Sequence, residues 1–518
     1  MAGCLSPGGG RRQVDAAIQY VKFFVPDMEE CHLDSSGGLA AARWSAFDGL
    51  VRAMRTPAAQ ADSVALLDTA AAAVELCVEE FAARGGTAVE RMVAMDELSQ
   101  PHLRHLVAAH LANEGSAGER GQWRTGGRFL YALQQAYLAV LVEPGAARLP
   151  RGVRLELMVR QLRTAAAMFK WRALAYYGPD PDLWEDVLRV ARVAWAEGVS
   201  SRQVKLRSGR AAQTSVDREL ARIIALGCAG LDQLRPEIID IADRVLKYAA
   251  PVLRLDSSGG DGARFVLPLA PAGVPRRVVD GEVGIEGVYL WPGEAAAALE
   301  ELASVVAKGL VPAVLSSGSE AREQVLVAVH HLVRLWTGSR RLRRHRRHPI
   351  QGRLRALLGF QELRSNLGAT GEVGRLAEGW GMLDASRNGI GVRVPAEDCD
   401  RIIVGDILAV RGEDGESWHV GVVRRIVRSE DGDGIVGIET VARSVTVASI
   451  DNGRSLADAL VCDPVQRGTA VRVAQEATLP PDADAPVFLS HDGRICKLRR
   501  VGTLLRGSGY ELTSYRVL

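Results

Sequence analysis

RIIVGDILAVR (Arg401–Arg411), WHVGVVRRIVR (Trp418–Arg428) and IVGIETV (Ile435–Val441) are the segments on which the fold turns. Each is short, rich in Val and Ile, and bounded by Gly and Asp, as strands joined by tight turns are. Ala470–Ala474, Val487–Ser490, Ile495–Val501 and Tyr510–Val517 read the same way. Asp492-Gly493 signals a hairpin between two of these, because a type I′ turn needs positive φ at both central residues. Short strands at regular spacing predict an antiparallel barrel or sandwich.

Just upstream the composition changes abruptly. From Trp336 to Arg355 there are eight arginines and no acidic residue. The densest part is Arg340-Arg341-Leu342-Arg343-Arg344-His345-Arg346-Arg347-His348, whose charge suits a polyanion. Guanidinium forks bind phosphate oxygens in pairs and stack flat on purine rings. Pro349 disfavours helix for the residue before it, so the cluster ends as a loop entering a strand. Further on, Arg364–Gly379 reads as loop.

The N-terminal half has a different period. From Val14 to Ala250 apolar residues recur at three- and four-residue spacing, as in Ser63–Ala83, Arg128–Val142, Arg154–Tyr177 and Asp217–Leu226, which predicts helices. In Gly178-Pro179-Asp180-Pro181, Asp180 is a natural N-cap and Pro181 a natural first helical residue for a helix running to Ala196 and stopping at Gly198. Arg254–Ala263 (RLDSSGGDGA) reads as a linker. A short mixed stretch follows, with a strand at Phe265–Leu267 and helices at Glu294–Lys308 and Ala321–Trp336. The expected architecture is therefore multidomain α+β. Residues 1–253 form an all-α bundle or array and 264–337 a small α/β connector. Residues 338–447 form an antiparallel β-barrel, and 448–518 an additional β subdomain or barrel extension.

Bulk properties narrow the function. The 518 residues are 47% hydrophobic and 24% charged, in the range of ordinary globular proteins, with a formal net charge of only +2. So small a charge will not recruit DNA or a membrane as a whole-molecule field, and electrostatic function must be local. Seven dispersed cysteines without a C-x-x-C pair argue against a disulfide framework and fit a reducing compartment. Met1–Arg12 lacks the apolar core of a secretory signal, and no run of eighteen apolar residues occurs. A cytoplasmic location without a membrane span is expected.

One further motif carries chemistry: Asp384-Ala385-Ser386-Arg387-Asn388-Gly389-Ile390-Gly391-Val392. On an extended backbone Asp384 and Ser386 point to the same face. A carboxylate and a hydroxyl placed so can accept from, and donate to, the edge of a guanine. Gly389 allows positive φ or close approach of a ligand. By itself the motif equally suits a strand end entering a turn.

Together, Arg343-x-x-x-Arg347 and Asp384-x-Ser386-x-x-Gly389 resemble the two-part signature of PilZ domains, bacterial receptors for cyclic di-GMP. The same arginine spacing also occurs as Arg340-x-x-x-Arg344. The resemblance covers roughly Arg340 to Val445. It implies a six-stranded antiparallel barrel with the arginine motif on a loop just before it. It also implies a ligand site in which Arg343, Arg344 and Arg347 grip phosphates and a guanine. Asp384 and Ser386 would read guanine edges, and Gly389 would leave room. A protein partner is then expected through the helical region. Two other functions fit the same residues: a nucleic-acid-binding adaptor using Arg340–Arg347, or a scaffold with a degenerate PilZ-like domain. For the first, a double-stranded-DNA site lacks support, because no helix-turn-helix or zinc finger lies near the cluster, and RNA phosphates are the contacts left to it.

Other motifs have plainer explanations. Gly432-Asp433-Gly434-Ile435-Val436-Gly437 matches G-x-G-x-x-G but precedes a strand rather than a helix, so a hairpin turn is expected. His102, His105 and His110 lack acidic or cysteine partners at metal-ligand spacing. The apolar spacing of Leu183–Trp195 is that of helix packing. No nucleophile elbow or other catalytic constellation stands out, so no enzymatic activity, cofactor or metal is expected.

Overall fold

Asp180 caps its helix in the computed structural model: its carboxylate accepts from the Asp182 N–H at 3.1 Å, and Pro181 opens the helix Pro181–Ala196. Gly198, with φ +61°, follows its end, where glycine readily takes the left-handed conformation. The structure describes residues 36–112, 117–206, 213–260, 262–270, 273–279, 285–313, 315, 322–338, 345–367, 376–415, 417–477, 486–491 and 493–518. These form two compact units.

The first unit takes in the chain up to Leu174, Pro179–Ala229 and Asp240–Gly338. Its helices follow the apolar spacing. Ser63–Glu79 packs against Ala117–Val142, which packs against Arg151–Leu174. Leu67, Met92, Phe129, Tyr137 and Trp184 are among its fully buried side chains. Leu183, Trp184, Val187, Leu188 and Ala191 are buried, so the apolar stripe of Pro181–Ala196 is core, as its spacing suggests.

The stretch expected as a linker is not one. Arg254–Asp256 is a strand, β1, antiparallel to β4 (Gly287–Trp291) with Arg254 opposite Trp291. It is polar because it is an edge strand leading into a turn, where Asp256 accepts from the Ser258 N–H at 3.0 Å. With β2 (Phe265–Pro268) and β3 (Arg276–Arg277) it makes a four-stranded sheet of order β1-β4-β2-β3. Helices Gly293–Ala307 and Arg322–Thr337 follow, and this mixed stretch belongs to the same compact unit as the helices before it.

The second unit is built on two closed six-stranded barrels. The first comprises β5 (His348–Leu358), β6 (Ala377–Ser386), β7 (Gly389–Val394), β8 (Ile407–Gly412), β9 (His419–Arg428) and β10 (Gly434–Ala442), in the order β10-β7-β6-β5-β8-β9. The second comprises β11 (Thr446–Asp451), β12 (Leu456–Val461), β13 (Ala470–Glu476), β14 (Val487–His491), β15 (Arg494–Gly507) and β16 (Tyr510–Val517), in the order β11-β12-β13-β16-β15-β14. All described pairs in both barrels are antiparallel, so the fold is α+β with a helical N-terminal region and C-terminal barrels.

Three local expectations are corrected. The strand expected from Arg401 begins at Ile407, because the Asp406 carboxylate accepts from the Ile403 N–H at 2.9 Å and Gly405 takes φ +95°. The stretch from Arg364 opens inside a helix, Phe360–Leu367, which buries Phe360 and Leu363. That helix packs into a core shared by the barrels, containing Leu357, Ile407 and Val420 with Leu460, Tyr510 and Leu512. The strand expected at Ile495–Val501 runs on to Gly507 through two register shifts that let a long strand curve around the barrel. His491 pairs with Arg494, and Gly493 has φ +72°, as the hairpin requires; Asp492 lies outside the described residues.

Candidate ligand-binding site

β5 enters the barrel directly after the arginine cluster, and its register decides where that cluster ends. His348 pairs with Ala385 and Pro349 with Asp384, then the ladder shifts so that Gly352 meets Met382. Proline cannot donate to a ladder and is tolerated at such an irregularity. Arg347 therefore leaves the barrel edge beside β6 and donates from Nη1 to Asp384 Oδ1 at 2.6 Å. Each side chain of the pair keeps about a third of its surface exposed, at 31% and 32%. Most donors of the guanidinium and the second carboxylate oxygen have no partner in this pair.

Asp384 faces Gly391 on its other side, in the β6–β7 ladder. A Cβ on Gly391 would lie 2.7 Å from Asp384 Oδ1 and 3.1 Å from Arg347 Nη1, so only glycine leaves room for the ion pair. Ser386 pairs with Gly389 and its hydroxyl donates to the Gly389 carbonyl at 3.2 Å, closing a hairpin with Arg387 and Asn388 at its tip. The Thr440 N–H donates to the Asn388 carbonyl at 3.1 Å and ties this tip to β10.

Gly389 does not take the left-handed conformation; its φ is outside that region. Its glycine is required by space, since a Cβ would sit 3.0 Å from the Ile438 carbonyl oxygen. Gly391 carries the steric role at the ion pair. Gly389 and Gly391 are two apart and so share a face, but that Gly391 meets Asp384 follows only from the β6–β7 register.

Val392, Val436 and Ile438 point into the barrel, so Gly391, Arg393 and Gly437 face outward. Gly391 stands opposite Gly437, and Arg393 opposite both Gly381 and Ile435. The outer face beside the Arg347–Asp384 pair thus carries glycines at 381, 391 and 437, with Gly391 beneath the pair, and is bordered by the exposed Arg393 and Ile435. A flat, anionic ligand can lie on such a face with guanidinium groups at its edge. Arg393 was missing from the sequence-derived set because a lone arginine in a strand carries no motif.

Of the six residues singled out, Arg347, Asp384, Ser386 and Gly389 come together here. Arg343 and Arg344 lie outside the described residues. The remaining motifs behave as structural elements. Gly432, at φ +92°, sits in the β9–β10 turn, where the Ser429 N–H donates to the Asp433 carbonyl at 2.8 Å. His102 is a core residue held between Ser63 Oγ and the Met54 carbonyl, both at 3.0 Å. Among the described residues no group of three or more His, Cys, Asp or Glu side chains could hold a metal ion, and no helix is long and apolar enough to cross a membrane.

Comparison with known families finds matches in two separate parts of the chain. Residues 49–259 match the family model described as the N-terminal domain of the cyclic-di-GMP receptor FimW. Residues 379–446 match the model described as the middle PilZ domain of the same receptor, a span that contains Asp384, Ser386, Gly389 and Gly391. No curated protein matches the chain. The two matches fall in the expected order, on the helical region and on the first barrel, and the chain belongs to the PilZ-domain family of cyclic di-GMP receptors.

Proposed function

We propose that this chain binds cyclic di-GMP on the outer face of the first barrel and regulates a protein partner through its helical region, on the cytoplasmic side of the cell. The observation that carries this is the Arg347–Asp384 hydrogen bond of 2.6 Å beside the side-chain-free Gly391. One Nη1–H of Arg347 is committed to Asp384. The rest of the fork is available to phosphate, and charge-assisted bonds of that kind are the strong ones. Asp384 keeps acceptor capacity for the N–H groups on a guanine edge, and Ser386 lies one strand position pair away on the same face. Arg343 and Arg344, which precede β5 in the sequence, would complete the phosphate contacts. The protein would act through binding rather than turnover.

Calorimetric titration of cyclic di-GMP into the full chain tests this, with Arg347→Ala and Asp384→Ala alongside. Saturable binding that both substitutions abolish supports the receptor site. Binding untouched by either substitution would move the ligand elsewhere on the molecule. Absence of cyclic di-GMP binding together with steeply salt-dependent RNA binding would favour an adaptor that uses the arginine cluster electrostatically.

A further inference from the structure

The second barrel has an outer face whose side chains are unlike those of a face meant for water alone. Leu498 is buried, so Ile495, Lys497 and Arg499 of β15 point outward. Ile495 is 75% exposed, and Val501, the unpaired residue inside the first register shift, is 67% exposed. β14 sets Phe488, also exposed, opposite Lys497. On the other side β16 sets Arg516 directly opposite Arg499. Apolar and cationic side chains therefore share one outer face across three adjacent strands.

The charges are the informative part. Like charges directly opposite in an antiparallel pair are destabilising. Neighbouring arginines on the same strand are neutralised: Arg500 and Arg506 both pair with Glu511, at 3.5 and 2.7 Å. No carboxylate among the described residues pairs with Lys497, Arg499 or Arg516. Three cations held together without counter-charge, with large aliphatic groups standing beside them, suit an occupant that supplies negative charge and an apolar medium together.

We propose that this face rests on an anionic phospholipid bilayer. The aliphatic side chains would enter the boundary between headgroups and acyl chains while the cations meet lipid phosphates, as on the charged and apolar faces of interfacial helices. A nucleic acid would satisfy the cations but leave Ile495 and Val501 uncompensated, and Phe488 alone is a poor stacking platform. A protein interface usually depletes lysine at its centre. The face lies beyond the residues matched by either family model and is independent of the cyclic di-GMP site.

Co-sedimentation of the full chain with phosphatidylglycerol–phosphatidylcholine vesicles, against phosphatidylcholine alone, tests the proposal. Binding is expected to the anionic vesicles and to fall as salt is raised. Replacing Lys497, Arg499 and Arg516 together by alanine should weaken it on the order of 100-fold. Ile495→Ser with Val501→Ser should weaken it about tenfold or more. Arg499→Lys with Arg516→Lys keeps the charge and should keep binding, which separates loss of charge from loss of fold. Equal binding to neutral vesicles, or binding that the triple substitution leaves unchanged, overturns the proposal. So does single-stranded RNA binding without vesicle binding, which would make the face a polyanion site.

Discussion

Arg347 and Asp384, 37 residues apart in sequence, are joined by one charge-assisted hydrogen bond, and Gly391 on the next strand is what makes space for it. A partly exposed pair of this kind contributes little to folding. The Coulomb attraction is screened by water and offset by the entropy of fixing two side chains. Under the proposed function, the pair presents a guanidinium and a carboxylate already oriented for a ligand.

Binding and folding should therefore separate at this pair. Arg347→Ala and Asp384→Ala are each expected to lower stability by less than about 1 kcal/mol. Both should nevertheless abolish cyclic di-GMP binding. Thermal unfolding of the three proteins, set beside their titrations, makes the comparison. A large drop in Tm for either variant would instead make the pair a structural element of the barrel.

The glycines of this face make a sharper pair of variants. Gly391→Ala puts a methyl group 2.7 Å from Asp384 Oδ1. The carboxylate must turn away, so affinity should fall about tenfold or more with only a small change in stability. Gly389→Ala meets the Ile438 carbonyl at 3.0 Å, which is backbone and can give way only if β10 moves. Its expected cost is about 1–3 kcal/mol of stability, the range for overpacking. Urea midpoints and titrations of both variants should show opposite patterns. Identical behaviour would mean that the two glycines share one role.

What was legible in the sequence follows from these same residues. Short Val- and Ile-rich runs bounded by Gly or Asp located β9 and β10 closely, and β16 was read at its observed bounds, Tyr510–Val517. β5 was expected only as a strand entered near Pro349, and β6 only as extended backbone at Asp384–Ser386, without their extents. β5 is exposed along its first six residues, His348–Arg353, and β6 has only Ala377 and Trp380 buried, so neither alternates cleanly. β1 was hidden for a related reason: a three-residue edge strand of Arg, Leu and Asp has the composition of a linker. At the site, the motif spacing placed Asp384 and Ser386 on one face, and Arg347 was added only by the family resemblance. The roles of Gly391 and Arg393 depend on which strand lies beside which. That register is set by the closed barrel and leaves no trace in local spacing.

Acid should loosen the helical unit through Asp243. This carboxyl is buried, which alone would raise its pKa, but Lys247, Lys170 and Arg222 outweigh burial and hold it well below the usual carboxylate range. Arg222 donates to it at 3.1 Å and Lys247 at 2.8 Å. Because the folded pKa lies below the unfolded value of about 4, the stabilisation is fully present above that value. It is lost as pH falls from there through the folded pKa. Asp243→Asn should cost about 3–5 kcal/mol at neutral pH, since it leaves buried cations without their partner. It should also flatten the fall in stability between neutral pH and pH values below about 4. Denaturant midpoints of both proteins across that range check the expectation. An equally steep decline in the variant would assign the acid sensitivity to other carboxylates.

Tyr176 carries a different kind of stress. It belongs to the barrel-containing unit, and among described non-glycine residues it alone has positive φ, at +62°. A bulky side chain in that conformation costs of order 1–3 kcal/mol and persists only when its surroundings hold it. Here the Arg428 N–H donates to the Tyr176 carbonyl at 2.7 Å, and the Gly178 N–H returns a bond to Arg428 at 3.1 Å. The buried phenol donates to the Leu234 carbonyl at 3.0 Å and accepts from the Val404 N–H at 3.1 Å. Tyr176→Phe leaves the ring and the backbone bonds in place and removes only the hydroxyl. The Val404 N–H then loses its acceptor in a buried setting, a loss worth about 1–3 kcal/mol. Tyr176→Gly relieves the φ strain but empties the space that the ring fills, so it should cost more than Tyr176→Phe. Urea unfolding followed by tryptophan fluorescence would order the variants. If glycine proved the milder change, backbone strain would outweigh the packing and hydrogen bonding of the ring at this position.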